Sequence, residues 1–293
     1  MRVVNLKQAA RRAAATAALA MLAWGPAWAA GEGIPSCYAA NPKAELAVPT
    51  PQLELFVLVD QTTPLDAALQ AAVREQVGRL VQPGAAFTVA SFSSYGQGRY
   101  LELLAGGALE VPIAEARRNS IGTKVLRDFD ACLKGQLTYG RNMAATALHQ
   151  ALGGLSTEYA KSDVMGSVRE LSQRIRESKA EEKVLFLVSD MLENSGITSF
   201  YANKNVRKLD VAAELKKAEA ANMLADLGGA RVFVLGAGLV QAPGGKGAPA
   251  KDSGVYRDPR IMETLRGFWE GYFTRSNGKL QAFGAPALMV PVR

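Results

Sequence analysis

Histidine is almost missing from this chain of 293 residues: His149 is the one example, beside two cysteines, Cys37 and Cys132. That scarcity removes whole classes of chemistry. A zinc site needs about four Cys or His ligands at set spacings, and Cys-His catalysis needs a thiolate with its own imidazole, so neither has the material to form. His149 itself falls off the apolar face of its predicted helix, which suits a solvated or structural role better than that of a general base. Aromatic residues are sparse, at 7%. Beyond the amino terminus no apolar run approaches the roughly 20 residues that cross a bilayer as a helix. Internal repeats are absent too.

The first 29 residues read as a secretory signal peptide. "MRVVNLKQAARR" is basic, "AAATAALAMLA" is a short apolar core, and "AWA" after Gly25-Pro26 offers Ala27 and Ala29 as the small residues of a cleavage site. The apolar core is about half the length of a membrane anchor. A chain processed there would begin near Ala30 and work in the periplasm or outside the cell. Without Arg2, Lys7, Arg11 and Arg12 the formal net charge falls from +7 to +3. No Lys/Arg stripe with interleaved aromatics remains, which excludes the usual electrostatic footprint for nucleic acid. An oxidising compartment also permits a disulfide between Cys37 and Cys132. Lipidation of Cys37 and two free thiols are the alternatives.

Residues 30–52 are rich in Pro, Ala and Gly without a period and read as an extended lead-in. From residue 53 the pattern alternates. "LELFVLV" (53–59) is a continuous apolar run, as a strand buried on both faces would show. Helical spacing follows over 65–81, with Leu65, Leu69, Val73, Val77 and Leu80 on one face, until Pro83-Gly84 stops it. "AFTVASFS" (86–93) and "RYLELLAG" (99–106) read as paired strands about the Gly96–Gly98 turn. A helical excursion is expected at about 107–162, in two helices, "TKVLRDFDACLKGQL" and "MAATALHQALGGLSTEYA". A further helix spans 163–178, capped by Ser162 or Asp163. "KVLFLVSDM" (183–191) is a second buried strand. A helix at about 206–228, the strand "ARVFVLGAG" (230–238), a Pro/Gly-rich loop at 240–255, a helix from Asp258 and the strand "KLQAFG" complete the chain. This alternation predicts an α/β fold: a doubly wound, mostly parallel, Rossmann-like sheet of about six strands with helices on both faces.

In such a sheet, ligands sit beyond the carboxyl ends of the strands, near the point where strand order reverses. "VLVD" and "FLVSD" aim Asp60 and Asp190 at that one edge. With these residues the chain resembles a von Willebrand factor A-type domain of bacterial exported type, over roughly residues 53–290. In that family the first strand ends in D-x-S-x-S, a later helix opens on a Ser or Thr ligand, and a following strand ends in an aspartate, usually as T-D-G. Together they hold a divalent cation that a partner's carboxylate completes. The resemblance carries the first two positions of D-x-S-x-S onto Asp60 and Thr62, the helix-start hydroxyl onto Ser162 and the later aspartate onto Asp190. Thr146 is a poorer candidate for the hydroxyl. Pro64 stands at the third position and offers no ligand, while Ser189 and Met191 replace the usual Thr and Gly.

These oxygens are hard ligands suited to Mg²⁺ or Mn²⁺, and losing one hydroxyl should weaken the site without abolishing it. The residues are equally compatible with a decayed site in which Asp60 and Asp190 serve as turn and cap residues. The resemblance implies a non-enzymatic domain that binds another envelope or secreted protein at the strand-end surface. Two other readings stay open: a secreted hydrolase with a metal-bound water between Asp60 and Asp190, and a nucleotide or small-ligand binder. The second rests on "GAG" (236–238) and "GGKG" (244–247), neither of which completes a phosphate-binding pattern. Asp128 and Asp130, two apart on a helix, point in different directions and read as a solvated face.

Overall fold

The computed structural model describes residues 33–41, 46–63, 65–93, 101–155, 162–202, 205–239 and 258–293. The proposed signal peptide, Pro64, the Gly96–Gly98 turn, Tyr159 and the loop at 240–255 with its "GGKG" lie outside them. In chain order the elements are α1 (Cys37–Ala40), β1 (Leu53–Asp60), α2 (Ala67–Leu80), β2 (Ala85–Phe92), β3 (Leu101–Ala108), α3 (Glu115–Arg118), α4 (Thr123–Gly153) and α5 (Val164–Glu177). They continue with β4 (Glu182–Val188), β5 (Tyr201–Ala202), β6 (Asn205–Val206), α6 (Val211–Ala220), β7 (Arg231–Leu235), α7 (Pro259–Arg275) and β8 (Lys279–Gly284).

Six strands form one sheet in the order β3-β2-β1-β4-β7-β8, and β5 pairs with β6 in a small hairpin. Every pairing in the large sheet is parallel except β2 with β3. The apolar runs at β1 and β4 are explained by burial on both faces, since successive side chains point to opposite sides. Phe56, Leu58, Leu185 and Leu187 pack with α5, α6 and α7. Leu55, Val57, Val59, Val184 and Phe186 pack with α2 and α4 on the other face. Each such side chain, removed from water, is worth roughly 1.5–3 kcal/mol. The sheet winds outward in both directions from the β1–β4 pair, so the carboxyl ends of these two strands form the switch point. Val59 stands beside Val188 in the register, which sets Asp60 next to Ser189.

The two helices expected between 107 and 162 are one. α4 runs for 31 residues, about 46 Å. Gly140 within it is a contact point: a Cβ there would stand 2.6 Å from Leu109 Cδ2 and 2.8 Å from Ile34 Cδ1, so glycine lets the helix lie against the end of β3 and the lead-in. The stretch before it is not helical until Glu115, because β3 extends to Ala108. The helix expected at 206–228 is also shorter. It ends at Ala220, where Asn222 takes a left-handed φ of 54°. Ser276 then claims the chain, accepting from the Ala225 amide through Oγ and from the Leu227 amide through its carbonyl.

Within the expected extended lead-in, α1 is fastened to the domain by Glu110. Its carboxylate accepts from the Cys37 amide at 2.7 Å and from the Ser36 hydroxyl, and Gln136 of α4 donates to it at 3.2 Å. Cys37 and Cys132 form a disulfide over a separate cluster of Tyr38, Ile113 and Phe129. It closes a loop of 95 residues. Replacing both cysteines by serine should therefore cost about 3 kcal/mol in urea denaturation, chiefly through the freed unfolded chain. A loss below about 0.5 kcal/mol would mean that Glu110 alone holds the segment.

Candidate functional site

β1 delivers Asp60 to the switch point with its side chain entirely buried. An isolated buried carboxylate is costly, so its oxygens must find donors. Oδ1 accepts from the Thr62 amide at 2.9 Å and the Thr62 hydroxyl at 2.6 Å. Oδ2 accepts from the hydroxyls of Ser162, at 3.0 Å, and Ser189, at 2.8 Å. Three segments distant in sequence thus meet on one carboxyl group.

Asp190 lies alongside, 3% exposed. Its backbone amide donates to the Thr63 hydroxyl at 2.9 Å, which joins the two strand ends. Its Oδ1 accepts from the Leu192 amide at 2.9 Å, and its Oδ2 from the Tyr201 hydroxyl at 3.2 Å. All four residues singled out in the sequence are therefore brought together. Asp60, Thr62 and Ser162 bond directly, and Asp190 joins them through Thr63 and the adjacent Ser189.

Ser162 reaches Asp60 because Asp163, not Ser162, caps α5, accepting from the Gly166 amide at 2.8 Å. Its backbone is held by the segment after β4, through Asn194 N–H donating to the Ser162 carbonyl at 2.8 Å. Glu193 strengthens that tie. Fully buried, it accepts from the Met165 amide in the first turn of α5 at 3.0 Å. Thr146 and His149 are exposed on α4 and donate to neither aspartate. Asp130 is engaged by Arg118 in a two-pronged pair at 3.0 and 2.7 Å, as befits a solvated helix face.

Met191 occupies the left-handed region at φ 61°, a conformation unusual for a side chain of its size. Two bonds hold it: its amide donates to the Ser189 hydroxyl at 2.9 Å, and its carbonyl accepts from Trp269 Nε1 at 2.8 Å. The "GAG" turn is used from below. Gly238 donates to the Asp190 carbonyl at 2.8 Å, and at Gly236, φ 103°, a Cβ would stand 3.0 Å from the Ser189 carbonyl oxygen. This turn supports the aspartate, and its Gly238 amide is spent on that task.

Burial raises the pKa of Asp60 against the opposing pull of Thr62, Ser189 and Ser162. Asp190 is raised well above the ordinary carboxylate range, first by burial and then by the charge of Asp60. Burial also raises the Tyr201 phenol, and Asp190 adds to the rise. Among the described residues no lysine or arginine bonds to either aspartate, and no group of three or more His, Cys, Asp and Glu stands ready to hold a metal. The donor set nonetheless fits a hard cation: two carboxylates that repel each other, with hydroxyls around them and no basic counter-charge. Thr63, Ser189, Glu193 and Tyr201 complete the arrangement. The hydroxyls sit next to the singled-out aspartates in "DQTTP" and "VSD", the one available sequence signal. Nothing local marks Glu193 or Tyr201.

The strand order and the paired carboxyls at the switch point define an open, doubly wound α/β domain with its candidate binding surface at the strand ends. No protein-family model matches the chain, and no curated protein matches it. Among solved structures, it is similar to an aerotolerance-related membrane protein from Bacteroides fragilis NCTC 9343, at 11% identity over 79% of this chain and 91% of that one, with a TM-score of 0.33. It is also similar to the pilus adhesin SpaC from Lactobacillus rhamnosus GG, at 15% identity over 64% of this chain and 24% of that one, TM-score 0.31. A third likeness is to the type V pili tip protein Mfa5 from Porphyromonas gingivalis, at 12% identity over 69% of this chain and 30% of that one, TM-score 0.30.

Proposed function

We propose that this chain is an exported binding domain of von Willebrand factor A type that engages another envelope or secreted protein at its strand-end surface. Asp60, Thr62, Ser162 and Asp190 serve there as a weak site for Mg²⁺ or Mn²⁺. One observation carries the reading: hydroxyls from two other segments converge with Thr62 on the buried Asp60, beside a second carboxyl group, and among the described residues no basic side chain bonds to either. A divalent cation would relieve that repulsion and offer a coordination position to a partner's carboxylate. The absence of a ligand from Pro64 sets the affinity low.

Thermal melts with Mg²⁺ or Mn²⁺ into the millimolar range test the cation. At ten times the dissociation constant the gain should be about 1.4 kcal/mol, which raises Tm by roughly 2–4 °C for a domain of this size. Asp60→Asn should abolish the shift and keep the fold, because the Ser162 and Ser189 hydroxyls can turn to accept from the new amide. A melt unmoved by metal or chelator would remove the cation from the proposal. The partner is tested separately, by affinity capture from the native envelope with wild type and Asp60→Ala. Equal capture by both would overturn the strand-end surface as the binding face.

A further inference from the structure

We infer that the Tyr201 phenol is a side-chain gate over Asp190, so that a divalent cation, and with it a partner's carboxylate, reaches the strand ends only when the ring swings away. This rests on the strand-end reading above and adds its regulation.

The hydroxyl of Tyr201 donates to Asp190 Oδ2 at 3.2 Å while the Leu192 amide occupies Oδ1. Both oxygens of the aspartate are thereby engaged, and its side chain is almost wholly covered. Each oxygen keeps a second lone pair, so a cation binding Asp190 needs an open approach to one of them. The Leu192 donor is backbone of the adjoining turn and cannot leave without refolding it, so the phenol is the partner that can be displaced.

Hydrogen bonds and aromatic packing tie down the segment behind Tyr201. The Phe200 amide donates to the Glu193 carbonyl at 2.8 Å, and the Arg207 amide returns to the Phe200 carbonyl at 2.9 Å. Arg207 donates through Nε to the Ser199 carbonyl at 2.7 Å and reaches Glu214 of α6 at 2.7 Å, where the Thr198 hydroxyl also bonds at 2.7 Å. Phe200 is fully buried against Phe268 and Trp269. Tyr201, half-buried, packs against the margin of this cluster and reaches Asp190 through its hydroxyl. Opening is then a rotation of the Tyr201 side chain with this network kept.

The surrounding donors do not compete in the same way. Thr62, Ser162 and Ser189 direct their hydroxyls at Asp60, and a hydroxyl can rotate to present its lone pair to a cation without leaving its place. A phenol oxygen this close to Asp190 leaves two outcomes: it blocks the cation, or it becomes a ligand. The two have opposite consequences when the hydroxyl is removed.

Mn²⁺ binding by the exported full chain, followed by the paramagnetic resonance of free Mn²⁺, separates them in wild type, Tyr201→Phe and Tyr201→Ala. The gate requires Tyr201→Phe to lower Kd about fivefold, the worth of one net hydrogen bond, and Tyr201→Ala to lower it at least as much. Adding Asp190→Asn to Tyr201→Phe should cancel the gain, which places the effect at this carboxyl group. An unchanged Kd overturns the gate and leaves the cation site standing. A raised Kd makes the phenol a ligand and also overturns the gate, as does failure of all three proteins to bind Mn²⁺. The binding-surface reading is judged independently by envelope capture with Asp60→Ala, so the two can fail apart.

Discussion

Replacing Trp269 with alanine is expected to destabilise the domain by about 4 kcal/mol, in the range for deleting a large buried aromatic. The indole is fully buried in α7 and makes edge or stacked contacts with Phe200, Phe268, Tyr272 and Phe273. Its Nε1 also fixes the carbonyl of Met191, the left-handed residue next to Asp190. The loss therefore has two parts, a cavity and a freed turn. Trp269→Phe should cost only about 1–2 kcal/mol, keeping much of the packing and losing the hydrogen bond. Hydrogen exchange separates the parts: both variants should speed exchange at Met191 and Leu192, while only the alanine variant should loosen α7. A urea midpoint for Trp269→Ala within about 1 kcal/mol of wild type would contradict this account.

The second large effect is a pH dependence of stability set by Glu193. Burial pushes its carboxyl up from 4.5 to about 8, the nearby Asp163 charge adds to the rise, and the hydrogen bonds to it work in the opposite direction. The folded chain therefore keeps a proton that the unfolded chain releases near 4.5. Stability from this group is complete below the unfolded value and is lost as pH rises through the folded one, on the order of 4 kcal/mol between pH 5 and 9. Asp60 and Asp190 are raised too and drive the same trend, so the comparison with Glu193→Gln isolates this residue. Glutamine keeps an acceptor for the Met165 amide and carries no proton to lose. The variant should match wild type near pH 5 and exceed it by a few kcal/mol at pH 9. Parallel stability curves for the two proteins would show that Glu193 does not titrate between its folded and unfolded values.

Much of the scaffold was legible because burial writes a local pattern. β1 and β4 announce themselves as unbroken apolar runs, since strands covered on both faces tolerate little else. The α2 positions Leu69, Val73 and Val77 recur at helical spacing and are buried as that spacing requires. Asp60 ends one such strand and Asp190 stands two residues beyond the other. Thr62 and Ser162 meet Asp60 at 2.6 and 3.0 Å, through their hydroxyls. α4 is one helix where the local pattern suggests two, and Gly140 within it lies against Leu109 and Ile34, where a side chain could not fit. α6 stops at Ala220, before the left-handed Asn222, and the residues after it are taken up by Ser276, 51 residues away from the Ala225 amide it accepts from.

Local pattern is enough for the alternation of strands and helices, the two-faced burial of the central strands and the delivery of two carboxylates to one edge. All three follow from periodicity over a few residues. Folding at long range is what joins α1 to α4 by the disulfide, leaves Ser162 for Asp60 while Asp163 caps α5, sets Trp269 on Met191 and brings the Tyr201 hydroxyl to Asp190. Each of these depends on partners brought together from distant parts of the chain or on the exact turn between near ones. The physical reason is that a hydrogen bond is fixed by position to a few tenths of an ångström, while local sequence sets only which face of an element a residue occupies.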